Sequence, residues 1–82
     1  MIEAPPVEVK NAKFWINEGF VRPRKSINRR ISSYGLKHLA ERQVGSYISN
    51  EAMIVAMVES GFRAQQIRGT TNFYFNAQLR EV

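Results

Sequence analysis

The chain has 82 residues, 44% hydrophobic and 23% charged, a globular composition that fills one domain over residues 1–82 and leaves no room for a second core. Its formal net charge is +5, with 12 Lys and Arg against 7 acidic residues, every one a glutamate. The absence of cysteine excludes disulfides and thiolate metal sites, and the single histidine excludes a His-rich site, so no metal or other cofactor is expected.

Residues 1–6 read as a loosely ordered lead punctuated by Pro5-Pro6, without the basic and apolar regions of a signal peptide. The longest apolar run, Ala52 to Val58, is far short of the ~18 residues a membrane span requires, so the chain is expected to be cytoplasmic. Residues 8–18 suit a helix closed by Gly19, with Ala12, Trp15 and Ile16 on one side. Residues 20–26 read as a basic loop, because Pro23 disfavours helix at Arg22. The weak alternation of Ser26 to Ile31 predicts a short third strand with Ile27 and Ile31 inward.

Two helices with clear boundary signals follow. Ser32 or Ser33 caps the first, Tyr34, Leu36, Leu39, Ala40 and Val44 give it apolar surface, and Gly45 ends it. Ser49 caps the second, Glu51 complements its positive end, and Ile48 and Met53 occupy the positions of a hydrophobic staple. Gly61 ends it, with Phe62 placed to fold back on Met57. The last segment is a hairpin. Phe73, Phe75, Ala77 and Leu79 alternate with Asn72, Tyr74, Asn76 and Gln78, giving one apolar and one polar face. Its partner, Phe62 to Arg68, is out of phase at its start and needs a bulge or late pairing, and Gly69-Thr70-Thr71 supplies the turn. The fold class is α+β, three helices and a C-terminal hairpin with a short third strand.

Charge gives the functional signal. Between Glu18 and Glu41 there is no acid, while Arg22, Arg24, Lys25, Arg29, Arg30 and Lys37 bring six positive charges. Charge so concentrated points to a polyanion or an acidic protein surface as partner. Arg63, Arg68 and Tyr74 on the hairpin add secondary contacts, and tyrosine and arginine on a sheet stack well on unpaired bases. Catalytic signals are weak. Tyr34, His38 and Glu41 share a helix face and could exchange protons, but a lone histidine among helical neighbours is usually structural. Aspartate is absent and Gly45, Gly61 and Gly69 stand singly at turns, so two-metal and phosphate-loop chemistries lack their residues and the chain is not expected to be an enzyme.

The order helix, short strand, helix, tight turn, helix, hairpin over residues 8–79 resembles the winged-helix branch of the helix-turn-helix proteins. That resemblance implies nucleic-acid binding with the hairpin as the wing. The phrases Ser33-Tyr34-Gly35-Leu36-Lys37-His38, Tyr47-Ile48-Ser49-Asn50 and Asn72-Phe73-Tyr74-Phe75-Asn76 are also similar to small phage and plasmid proteins, which implies a mobile-element accessory role and no specific chemistry. The helix that would enter the major groove carries no cation, and Glu51, Val55 and Glu59 share one of its faces, so it reads as a core helix instead. Two readings stand at this level. One is a nucleic-acid binder, with DNA or RNA as partner, holding phosphates through its basic segment. The other is an anti-CRISPR-like inhibitor that occupies a host defence protein or nucleoprotein complex. In a chain this short without a staple, a homodimer is the remaining common route to extra burial.

Overall fold

A computed structural model describes residues 2–80 and shows three helices packed on a three-stranded antiparallel sheet. The elements run α1 (Pro6–Asn17), β1 (Val21–Asn28), α2 (Ser33–Val44), α3 (Asn50–Glu59), β2 (Ala64–Gln66) and β3 (Phe73–Leu79). The strand order is β1-β3-β2, so the C-terminal strand is central and the other two are edges. Among the described residues no helix is long and apolar enough to cross a membrane.

Local chemistry explains each helix boundary. Pro6 opens α1 at its first turn, where a missing N–H costs nothing and φ is already helical. The expected lead is therefore shorter than residues 1–6, and Ala4 already packs against the core. Ser32 is the cap of α2, its hydroxyl accepting from the Gly35 N–H. Ser33 is buried and serves another purpose, accepting from the Phe73 N–H to tie α2 to the sheet. Ser49 caps α3 through the Ala52 N–H, and the stapled residues Ile48 and Met53 are both fully buried. At the far end the Phe62 N–H reaches the Met57 carbonyl at 3.1 Å and Gly61 N–H reaches Val58 at 3.0 Å, a Schellman ending that needs the positive φ of Gly61.

The core lies where the helices meet the apolar face of β3. Trp15, Leu36, Ile48, Met53, Met57 and Phe75 are all buried, each contributing about 1.5–3 kcal/mol by leaving water. α3 buries Ala52, Met53, Ile54, Ala56 and Met57, as expected of a core helix, and turns Glu51 and Glu59 outward. Trp15 also donates from Nε1 to Gln43 Oε1 at 2.5 Å, fixing α1 to α2.

The segment 20–26 departs from expectation. It is not a loop but most of β1, which pairs with β3 from Val21↔Leu79 to Pro23↔Ala77 and again at Asn28↔Phe75. Pro23 is tolerated because β1 is an edge strand, where a missing ladder N–H is least costly. Between the two paired stretches Arg24, Lys25, Ser26 and Ile27 bulge out opposite the single residue Asn76. The short third strand expected over Ser26 to Ile31 therefore starts earlier and ends at Asn28. On the other edge β2 begins only at Ala64, the late pairing that its broken alternation requires. The connection to β3 is wider than a three-residue turn: Ile67 N–H bonds Asn72 O, and a tighter turn closes inside it through Thr70 N–H to Ile67 O.

Candidate nucleic-acid interface

Cross-strand register decides which side chains share the outer face of the sheet. Arg22 lies opposite Gln78 and Gln65 opposite Tyr74, so these four point the same way, along with Asn76. Asn76 is only 7% exposed, because the bulge of β1 lies over it. Its amide donates to the Arg24 carbonyl at 2.9 Å, and its Oδ1 accepts from the Arg63 N–H at 2.6 Å, joining both edge strands across the central one. Asn28 adds a second tie, donating to Ala77 O at 2.9 Å and accepting from Arg30 N–H at 3.0 Å. Two buried amides thus hold the bulge and the arginines it carries.

The bulge opens a cleft of about 640 Å³ lined by Arg24, Asn28, Arg30, Gln78 and Arg80, with Ile31 and Leu79 as its apolar lining. A neighbouring concavity brings Arg22 against the same Gln78 and Arg80. Four arginines therefore line two neighbouring concavities, a divided depression whose halves share Gln78, Leu79 and Arg80. None has a carboxylate within 4 Å among the described residues. Arg24 is partly engaged, donating to the carbonyls of Ser26 and Ile27 and more weakly to Gln78. Those bonds aim the group while leaving N–H donors unused. Arg80 lies over the Phe20 ring, 4.3 Å from its centre, which holds its planar head in place. A concavity lined by one sign of charge focuses field, and guanidinium groups meet phosphate in bidentate fashion.

The predicted site residues divide in three. Arg22, Arg24 and Arg30 come together at the depression. Lys25, Arg29 and Arg63 lie beside it on the bulge and the β2 edge, where Arg29 donates to Gln65 at 3.1 Å and Arg63 donates to the Lys25 carbonyl. Tyr74 is half-buried on the same sheet face, and Arg68 projects from the hairpin loop outside both concavities. Lys37 does not belong to the surface. It is 7% exposed, with its ammonium 3.3 Å from Glu41 and enclosed by the rings of Tyr34 and Tyr47. Arg80 was not among the residues that charge clustering picked out. It continues the outward phase of Tyr74, Asn76 and Gln78 by one step, and that period of two is the signal that locates it.

The Tyr34, His38 and Glu41 cluster does assemble on α2, with His38 Nδ1 3.3 Å from Glu41 and edge-on to Tyr34 at 4.4 Å. Glu41 also accepts from Lys37 and from the Ile48 N–H at 3.1 Å, so it fastens α2 to the turn before α3. Charge is distributed unevenly over the whole. The strands and their flanking turns carry eight cations and no acid across residues 19–32 and 61–80, whereas the lead, α1 with its C-cap Glu18, and α3 carry Glu3, Glu8, Glu18, Glu51 and Glu59 against Lys10 and Lys13. The chain matches no protein-family model, no curated protein and no solved structure.

Proposed function

We propose that this protein is a non-enzymatic nucleic-acid-binding accessory protein of a mobile element, and that it grips the phosphate backbone with the arginines of the sheet. The observation that carries this reading is the pair of neighbouring concavities lined by Arg22, Arg24, Arg30 and Arg80, four cations with no carboxylate within salt-bridge distance among the described residues. The lining residues offer no nucleophile and no general base, so the surface is suited to binding rather than to reaction. The order of the elements supports the winged-helix likeness, but the mode of contact differs from major-groove reading. α3 is a core helix with two outward carboxylates, so contact falls to β1, its bulge and the end of β3.

Binding of this kind is electrostatic and largely independent of sequence. Anisotropy of labelled 20-nucleotide single strands and duplexes at low salt tests it, with the Arg30→Ala/Arg80→Ala double variant as control. Binding to unrelated sequences with similar affinity, weakened in the double variant, is the expected result. No binding at low salt would end the proposal. The inhibitor reading is favoured by a different observation. Tyr34 at the start of α2 and Tyr47 in the α2–α3 turn, 51% and 65% exposed, both lie against the Lys37 ammonium and form an aromatic pair of the sort that anchors protein interfaces. Loss of a protein partner on Tyr47→Ala, with nucleic-acid affinity intact, would select it.

A further inference from the structure

α1 and α3 leave a groove between their outer sides that nothing among the described residues fills. Ala4, Val9, Phe14 and Val55 give it apolar surface, and Phe14 is 57% exposed. Val7 on α1 and Val58 on α3 are exposed as well, outside the groove's lining. The spacing of Val7, Lys10 and Phe14 on α1, and of Glu51, Val55 and Val58 on α3, puts each set on one outward stripe. Lone exposed apolar residues are ordinary; a contiguous groove of them across two helices is an interaction surface.

Its charges say what covers it. Lys13 and Glu59 already pair across the groove at 2.6 Å. Lys10, which lines the groove, and Glu51, one turn before the groove residue Val55 on α3, have no opposite charge within 4 Å among the described residues. A uniformly basic partner would satisfy Glu51 and repel Lys10, an acidic one would do the reverse, and nucleic acid would face Glu3, Glu51 and Glu59. A second copy related by a two-fold axis satisfies both, because every contact in such an interface is made twice with the roles exchanged. We propose that the protein forms a homodimer through the α1–α3 groove, with Phe14 and Val55 at its centre and Lys10 of each copy meeting Glu51 of the other. None of Arg22, Arg24, Arg30 and Arg80 lines the groove, so each dimer presents two free arginine depressions. Pairing also gives a small chain without cysteine extra burial, in place of the disulfide staple it cannot form.

Sedimentation of the full chain, freed of nucleic acid by nuclease and high salt, tests this over concentrations from about 1 to 500 μM. The expected result is a reversible monomer–dimer equilibrium in that range. Phe14→Ser should weaken it by ~100-fold or more, since the loss is felt on both copies. Lys10→Glu and Glu51→Lys should each weaken it roughly 10-fold, and the double reversal should restore it to within about 3-fold of the parent. Both charged positions are exposed, so the charge exchange decides the matter even if Phe14→Ser fails to fold. A monomer at every concentration, open-ended growth beyond the dimer, or a double reversal no better than either single change would each overturn the proposal.

Discussion

Replacing Asn76 by alanine removes the side chain that joins the three strands. Two hydrogen bonds go with it, to the Arg24 carbonyl and from the Arg63 N–H. Each is worth ~0.5–1.5 kcal/mol net, and because the site is only 7% exposed, their partners are left poorly solvated. The expected loss is about 2–3 kcal/mol. A chain of this length has a total stability of roughly 4–12 kcal/mol, so the loss is a large fraction of it. It corresponds to a fall in Tm of about 10–20 °C, at ~4–8 °C per kcal/mol for a domain of this size. Gln78→Ala is the control, one step along the same face, where the contact with Arg24 is a marginal 3.5 Å. That change should cost less than ~0.5 kcal/mol. Urea titrations of both variants measure the difference directly. Equal, small losses would refute the account of the bulge as a structure held by Asn76.

Further outcomes follow from the same structure. Glu41→Gln leaves the buried Lys37 ammonium without its counter-ion and weakens the bond from the Ile48 N–H, so it should cost about 2–3 kcal/mol in urea; adding Lys37→Met should recover part of that. Met53→Ala, at a fully buried staple position, should cost ~2–5 kcal/mol by the same titration, whereas Glu51→Gln should leave nucleic-acid affinity unchanged or slightly higher in anisotropy. Arg80→Ala should weaken binding about as much as Arg30→Ala, while Arg68→Ala, outside both concavities, should change it by less than about twofold.

The parts of the fold that local rules govern were legible in the residues. Ser32, Ser49, Gly45 and Gly61 mark α2 and α3 because capping depends on a few adjacent atoms, and the phase of Phe73 to Leu79 marks β3 because a strand with one buried face must alternate. What was not legible depended on tertiary placement. Pro23 and its basic neighbours look like a loop until an edge position on β3 makes a bulged strand there acceptable. Lys37 looks like part of a basic patch until the fold sets Glu41, Tyr34 and Tyr47 around it. Charge clustering along the chain also misses Arg80, which reaches the depression through strand pairing with a segment almost sixty residues earlier.

The most direct test of the arginine depression as a phosphate-binding surface is the salt dependence of affinity, on two unrelated sequences. Four phosphate contacts, from Arg22, Arg24, Arg30 and Arg80, give a log–log slope of roughly −3.6 on duplex and −2.8 on single strands. Between about 50 and 200 mM salt that is a ~150-fold loss for duplex and a ~50-fold loss for single strands. The Arg30→Ala/Arg80→Ala double variant should reduce the duplex slope by about 1.8. An affinity indifferent to salt, or a slope unchanged in the double variant, would contradict the account.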